Sequence, residues 1–153
     1  MKKYQPAILL AIVSIIGFFV FWQFQIKRNP KSPFGNKLQT VSLSGHSLSA
    51  EVVTTQEKKA LGLSGRESLC ADCAMLFLYE EKNTYPFWMK DMRFDLDMVW
   101  ILGNKVVYLA KNIPFAGGTA KTINPGTLAD KVLEINAGAS DRLGIKVGDL
   151  VSF

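Results

Sequence analysis

The sequence has few of the side chains that bind metals or act as nucleophiles. It contains one histidine, His46, and two cysteines, Cys70 and Cys73. A structural zinc site normally has four ligands, so these three residues argue against zinc bound within one chain, and we expect no metal and no cofactor. His46 falls in a predicted hairpin turn, where no Ser-His-Asp or Cys-His arrangement can be assembled around it. The composition therefore gives little support to an enzyme.

Acidic residues are missing from the start of the chain. From Lys37 onward there are 13 Lys plus Arg and 13 Asp plus Glu, so that part is neutral. A neutral domain offers no electrostatic footprint for a phosphate backbone, and we expect no nucleic-acid partner. The whole net charge of +5 comes from five cations that precede position 37 without an acid among them: Lys2, Lys3, Lys27, Arg28 and Lys31.

Charge is also absent from residues 6–26, PAILLAIVSIIGFFVFWQFQI. A helix of this length reaches about 30 Å, the thickness of a bilayer core. The run exceeds the h-region of a signal peptide, and no small-x-small cleavage site follows it. We therefore predict that residues 6–26 form an uncleaved transmembrane signal anchor in the lipid bilayer, after a short basic N-terminus at residues 1–5.

The orientation of this anchor is weakly determined, because positive charges flank both of its ends. A single N-terminal anchor ahead of one domain usually places that domain outside the cytoplasm, which is the orientation we expect. Residues 27–36, KRNPKSPFGN, contain two prolines and a glycine and are typical of a linker. A single domain is then predicted over residues 37–153.

Most of that domain consists of short segments whose polarity alternates with period two, which is typical of β-strands. A capping-box pattern, Thr54 with Glu57, predicts a short helix over residues 55–61 that stops at Gly62. ASDRLG predicts one helical turn from Ser140 to Gly144. The glycine-rich segment 113–129 predicts a long loop. Strands are predicted at residues 38–43, 47–53, 74–79, 92–102, 105–112, 131–136 and 147–153.

These elements predict a mainly β fold, a sandwich or barrel with two short helices, preceded by one transmembrane helix. Four stretches, in order, carry a family resemblance: ALGLSGRESL, AMLFLY, FWMK with LDMVWI, and VLEINAGASDRLGIKVGDLV. Together they resemble the uncharacterised bacterial and archaeal family called domain of unknown function 192, over residues 38–153. The resemblance implies a compact β-barrel or jelly-roll-like sandwich behind an N-terminal export signal or anchor, and no established activity.

The resemblance carries over to a few positions. Gly62, Gly65 and Arg66 match a Gly-x-x-Gly-Arg pattern, the segment 88–90 matches Trp-Met-Lys, and Asp97 matches the Asp of Leu-Asp-Met. The chain departs from the pattern in two places, since members usually have Asn at position 91 and Pro at position 95, where this chain has Asp. The extra charges put a shared polar site in doubt.

Candidate binding residues lie in the stretch FWMKDMRFDLDMVW, residues 87–100. Lys90 and Asp97 could meet across a sheet edge and form, with Arg66, a charged pocket walled by Trp88 and Phe87. A desolvated Lys or Asp can act as acid or base. The plainer interpretation is a structural ion pair at the barrel rim, because structural networks also perturb charges. We take Arg66, Trp88, Lys90 and Asp97 as ligand-binding candidates and name no catalytic residue.

Two smaller constellations remain. Asp95 and Asp97 lie about 7 Å apart on one predicted strand face, a spacing at which they could act on glycosidic bonds or bind Ca²⁺. The favoured interpretation is that these two acids and Arg93 form a solvent-exposed polar face of the strand. Cys70 and Cys73 have the spacing of a redox pair. A local disulfide is the simpler prediction for a domain outside the cytoplasm.

The sequence therefore favours a membrane-anchored, extracytoplasmic β domain that binds an unknown small molecule or protein. Two alternatives remain open: a hydrolase that uses Asp97 with Lys90, and a thiol redox protein that uses Cys70 with Cys73. Alanine at Lys90 or Asp97 should abolish binding with little change in melting temperature if the binding hypothesis holds. The oligomeric state is not indicated by the sequence.

Overall fold

A computed structural model describes residues 31–115 and 122–153. The compact unit starts at Lys31 and runs to Phe153. Its start includes the last residues of the predicted linker, because Ser32 and Asn36 are buried and hydrogen-bond within the domain. The predicted anchor lies outside the described residues. Within them, every helix is too short and too polar to cross a bilayer.

The fold is mainly β, with nine strands and two short helices among the described residues. The helices are α1 (Gln56–Leu61) and α2 (Ala139–Arg142). The strands are β1 (Lys37–Leu43), β2 (His46–Val53), β3 (Cys73–Asn83), β4 (Phe87–Trp88), β5 (Leu96–Leu102), β6 (Lys105–Ile113), β7 (Thr122–Ile123), β8 (Ala129–Asn136) and β9 (Val151–Ser152).

Seven strands form one curled, half-barrel sheet in the order β6-β5-β8-β3-β2-β1-β9, and β4 pairs with β7 in a small second sheet. Every neighbouring pair is antiparallel except β2 with β3. A parallel pair needs a crossover connection, and residues 54–72, which contain α1, supply it. The prediction of a mainly β fold with two short helices is thus confirmed.

The main sheet is buried on both faces. Along β5, Val99 and Ile101 belong to one apolar cluster, whereas Met98 and Trp100 belong to another on the opposite face. The same alternation occurs in β3 and β8. Because both faces are covered, β5 is apolar at nearly every position, and Asp97 is its one charged residue.

Two predicted turns are present in the structure. Ser44 and Gly45, between β1 and β2, both have positive φ, 51° and 78°, as a type I′ hairpin turn requires. Gly103 has a φ of 62° between β5 and β6. The helix α1 is capped by Thr55, whose side chain accepts from the Lys58 N–H, one residue later than the predicted capping box.

The predicted strand over residues 92–102 is shorter than expected, since β5 begins only at Leu96. Asp91 has a φ of 55°, which interrupts an extended chain. The carbonyl of Lys90 accepts from the Ser64 hydroxyl, and that of Asp91 accepts from the Gly65 N–H. Residues 89–95 therefore form an irregular loop that packs against the crossover. In the predicted loop 113–129, β7 is an added strand, and residues 116–121 lie outside the described part.

Candidate functional site

A buried ion pair organises the surface between β2 and the crossover. Arg66, in the crossover, donates from two nitrogens to the two carboxylate oxygens of Glu51, at 2.5 and 3.0 Å. The two side chains are only 10% and 9% exposed. The guanidinium also lies 3.7 Å from the ring centroid of Phe34. This fork geometry with a stacked aromatic ring holds Arg66 in one orientation.

The Glu51 carboxylate receives two further hydrogen bonds, from the Ser32 hydroxyl and the Asn36 amide, each at 2.8 Å. Burial alone would raise the pKa of Glu51, but the bonds from Arg66, Asn36 and Ser32 outweigh it and lower the pKa. Glu51 is therefore a fully partnered anion that ties residues 32–36 and the crossover to the sheet.

A second acid, Glu134, lies on the same face two strands away. In the sheet register Glu51 is opposite Met75, and Met75 is opposite Glu134, so the three share one cross-strand row. At the usual strand spacing the two acids are about 10 Å apart. Glu134 is 4% exposed, and its Oε2 has no hydrogen-bond partner among the described residues.

The environment of Glu134 favours its neutral form. Burial raises the pKa of this carboxyl to about 8, and the nearby positive charge of Arg66 opposes the rise only in part. At neutral pH the group is therefore mostly a carboxylic acid that can donate a hydrogen bond. Gly62 covers it, because a Cβ at this position would lie 3.9 Å from Glu134 Oε2 and 3.5 Å from the Phe77 ring.

A cleft opens beside these two acids. Its volume is about 640 Å³, within the usual range for small-molecule sites. We call it the Arg66 cleft; its lining comprises Phe34, Asn36, Val53, Lys58, Leu61, Gly62, Ser64, Gly65, Arg66, Glu67 and Ser68. Asn36 is 5% exposed, and its Oδ1 lacks a hydrogen-bond partner in the part of the chain that the structure describes.

A narrow crevice of about 20 Å³ adjoins the cleft beneath the start of the crossover. Gly62 borders both spaces, and Glu134, Phe87 and Trp88 line the crevice. This volume is enough for about one water molecule. Trp88 is 51% exposed, so about half of this residue remains accessible to solvent.

The four predicted binding residues are not gathered in one pocket. Arg66 lines the cleft and Trp88 lines the crevice. Lys90 is exposed, and its main-chain carbonyl holds Ser64 at 2.9 Å. Among the described residues, the ion pairs do not include one between Lys90 and Asp97.

Asp97 is fully buried and occupies the face of β5 away from Glu134. Its Oδ1 accepts from the Asn112 N–H at 2.7 Å, and its Oδ2 accepts from the Ser140 N–H at 2.8 Å. Asn112 has a φ of 50° at the end of β6, and Ser140 lies in the first turn of α2. Both oxygens of Asp97 are therefore used to fix neighbouring backbone segments.

The remaining candidates from the sequence, Asp95 and the cysteine pair, have structural contacts. Asp95 is exposed ahead of β5 and accepts from the Phe115 N–H. The residues in 31–115 and 122–153 contain no cluster of three or more His, Cys, Asp or Glu side chains suited to a metal. Cys70 and Cys73 are joined in a disulfide, and the Asn136 amide donates to the carbonyls of Leu69 and Cys70.

The sequence reasoning missed Glu51, Glu134, Phe34 and Asn36. A signal for Glu134 was present, because an acid between Leu133 and Ile135 interrupts an otherwise apolar strand. Such a residue is buried only with a partner or in a neutral form. Phe34 and Asn36 gave no comparable signal, since they fell in a segment interpreted as a linker.

The geometry defines a small β domain with an acid-and-arginine cleft of unassigned chemistry. The chain belongs to the DUF192 family, described as "Uncharacterized ACR", whose profile matches residues 39–153. The predicted resemblance is thereby confirmed. No match was found among curated proteins.

Two solved structures are similar to this chain. A protein of unknown function from Novosphingobium aromaticivorans DSM 12444 is 30% identical, with a TM-score of 0.73, and the match covers 81% of this chain and 91% of that one. A proposed transcription regulator from Sinorhizobium meliloti 1021 is 29% identical, with a TM-score of 0.71, covering 76% of this chain and 94% of that one. Both support the fold described above.

Proposed function

We propose that the domain is a ligand-binding module whose binding site is the Arg66 cleft. The guanidinium of Arg66 in the cleft lining, held in place by two hydrogen bonds to Glu51, carries this proposal. Ligand sites combine apolar walls with a few fixed polar groups, and Phe34 and Leu61 supply apolar surface beside Arg66. The concave shape and the volume of the cleft support the same function.

The residues around the cleft have distinct roles in this proposal. Arg66 is held by Glu51 and stacked on Phe34, so it presents a fixed wall to the ligand. Lys90 fixes the crossover through its carbonyl. Asp97 supports the sheet from its other face. The hydrolase and the thiol redox hypotheses stay predictions.

A cleft-filling substitution tests the binding function. The full chain in detergent micelles is screened by ligand-observed NMR against a library of soluble fragments, together with Ser68→Trp and Ser47→Trp. Ser68 lines the cleft, whereas Ser47 is an exposed residue of β2 outside it. Fragments should bind the wild type and Ser47→Trp but not Ser68→Trp. Hits that bind all three proteins equally, or a screen without hits, would contradict the proposal.

We also propose that residues 6–26 anchor the domain in the membrane and place it outside the cytoplasm. The uncharged length of that segment supports this arrangement. Intact cells are treated with a membrane-impermeant maleimide before and after reduction. Labelling only after reduction is expected, since Cys70 and Cys73 are the only cysteines and are joined. Labelling that requires cell lysis would place the domain in the cytoplasm and contradict the proposed orientation.

A further inference from the structure

We infer that the surface around the mouth of the Arg66 cleft docks on an anionic lipid bilayer, with Phe34, Leu61 and Trp88 in the interfacial layer and neighbouring lysines against the phosphate groups. This inference rests on the membrane anchor proposed above and is independent of what the cleft binds. It draws on three features: an exposed apolar patch, the charge beside it, and the position at which the chain enters the domain.

Three large apolar side chains are exposed next to one another. Phe34 and Leu61, which are 60% and 62% exposed, line the same cleft. Trp88 lines the crevice that Leu61 also borders. The three residues come from the segment before β1, from the end of α1 and from β4, so the fold brings them together. An apolar patch of this kind marks a surface that contacts a membrane or another protein.

Phe34 is held outward by a short hairpin. Lys31 pairs with Lys37 in an antiparallel bridge, and the Ser32 N–H donates to the Asn36 carbonyl inside it. The buried side chains of Ser32 and Asn36 fix the hairpin to the sheet through their hydrogen bonds. Phe34 therefore lies at the tip of a fixed element and stays exposed.

The exposed charge beside the patch is mainly positive. Lys31 and Lys37, at the base of the hairpin, and Lys58, in the cleft lining, are exposed. Within residues 31–115 and 122–153, none of these three lysines forms an ion pair. Glu57, the acid that precedes Lys58 on α1, lies outside the cleft lining. Aromatic and leucine side chains flanked by lysines are typical of surfaces that bind anionic lipids.

The chain enters the domain at this surface. Lys31 is the first residue of the compact unit, and only residues 27–30 separate it from the end of the predicted anchor. A fully extended chain from Ile26 to Lys31 spans about 17 Å, and Phe34 is within about 10 Å of Lys31. Such a short tether gives the patch a high effective concentration at the bilayer, so weak contacts are enough for docking. A separate protein partner has no such advantage, which favours the bilayer.

A matched pair of spin-labelled variants tests the docking. Leu61→Cys and Leu150→Cys each introduce one reactive thiol, because the native cysteines are joined. Leu150 is 68% exposed, beside β9, which pairs with the end of β1 opposite to Lys37. The full chain is reconstituted in nanodiscs of phosphatidylcholine mixed with phosphatidylglycerol. Accessibility to oxygen, relative to a water-soluble nickel chelate, should be several-fold higher for the label at position 61 than at position 150.

Lysine variants test the electrostatic part. Removal of two surface lysines in Lys31→Gln with Lys37→Gln should lower the ratio of lipid-exposed to water-exposed label at position 61 by roughly 20-fold, since each lysine contributes about fivefold near an anionic surface. Nanodiscs of phosphatidylcholine alone should lower it similarly. Lys105→Gln with Lys146→Gln, two exposed lysines away from the patch, should leave the ratio unchanged.

The outcomes separate the docking from the anchor. A label at position 61 that is as accessible to nickel as the label at position 150, on protein retained in the nanodiscs, would overturn the docking and keep the anchor. A label shielded from both oxygen and nickel would show that protein covers the patch, and would also overturn it. An equal loss in the two lysine variants would contradict the specific role of this surface. Protein that does not stay in the nanodiscs would overturn the anchor and the docking together.

Discussion

Two glutamates on one face of the sheet have pKa values shifted in opposite directions. Glu51 accepts four hydrogen bonds and has a lowered pKa. Glu134, in the same cross-strand row, has a raised pKa because burial dominates. Arg66 acts on both, as the fork partner of Glu51 and as a nearby charge for Glu134. The two acids therefore differ because Glu51 is hydrogen-bonded by Arg66, Asn36 and Ser32, whereas burial dominates at Glu134.

The raised pKa of Glu134 predicts a loss of stability as pH increases. Between about pH 4.5 and 8 the folded protein retains a proton that the unfolded chain has lost, so raising the pH favours unfolding. The contribution is complete below about pH 4.5 and gone above about pH 8. Over this window the free energy of unfolding should fall by up to about 1.4 kcal/mol per pH unit from this group. Glu134→Gln should remove that slope in urea titrations.

Glu51→Gln is the matched control for this slope. The lowered pKa of Glu51 contributes stability that is present above its ordinary value near 4.5 and lost as the pH falls below it. Its substitution should therefore alter the acidic limb of the profile and leave the slope toward pH 8 in place. Arg66, the charged group that acts on Glu134, keeps its positive charge in both variants. An unaltered slope in Glu134→Gln would contradict the assignment.

The Arg66–Glu51 pair is expected to matter far more than surface pairs. Arg66→Met leaves Glu51 buried without its main partner and should lower the free energy of unfolding by about 3–5 kcal/mol. Arg93 and Glu67 form a control pair, with side chains 55% and 76% exposed. Arg93→Met should cost less than about 1 kcal/mol. Denaturant unfolding of the two variants compares them, and equal losses would contradict the buried role of Arg66.

Asp97 connects three secondary-structure elements. It projects from β5, and its two oxygens hold the end of β6 and the first turn of α2. The carboxylate takes the place of a helix cap, since Gly138 has no side chain to cap α2. Position 97 thus determines where the second helix begins.

Asp97→Ala should lower the free energy of unfolding by roughly 3 kcal/mol, because two amides lose a buried charged acceptor. Asp95→Ala is the control, since Asp95 is exposed and, among the described residues, its side chain accepts only from the Phe115 N–H. It should cost about 1 kcal/mol or less. Thermal unfolding measures both. A binding role of the kind expected from the sequence would instead leave the melting temperature of Asp97→Ala nearly unchanged.

The C-terminal segment joins the two edge strands of the main sheet, β6 and β9. The Gly148 N–H donates to the Val106 carbonyl, and the Val106 N–H donates to the Asp149 carbonyl. The Val151 N–H donates to the Asn104 carbonyl. These bonds link β9, at one edge, to the start of β6, at the other. The half-barrel is therefore closed at this end by main-chain hydrogen bonds.

Deletion of residues 150–153 should open this closure. The change removes the buried side chain of Val151 and its main-chain bond to Asn104, which together amount to about 2–3 kcal/mol of stability. Hydrogen exchange should accelerate at the amide of Val106 while the centre of β3 stays protected. Unchanged exchange at Val106 would show that the closure does not depend on β9.

The sequence was sufficient to locate most strands of the sheet, because short alternating or continuously apolar segments are separated by turns that contain Gly or Asn. It was insufficient for the start of β5, where contacts from Ser64 and Gly65 override the alternation of residues 92–95. The cleft depends on residues far apart in sequence, Asn36, Glu51 and Arg66. Their proximity results from the β2–β3 register and the crossover, which periodicity does not encode.

The parallel pairing of β2 with β3 requires a long connection, and this connection forms most of the cleft. Most of the cleft lining comes from one uninterrupted segment, residues 54–72, whose two ends are fixed by neighbouring strands. Arg66, Ser64 and Gly65 in this segment hold Glu51 and residues 89–95, whereas the segment's remaining lining residues make no such contacts to the sheet in the described part of the chain. If the proposed binding function holds, exchanging those remaining residues between relatives should change ligand preference and leave the strand register unchanged.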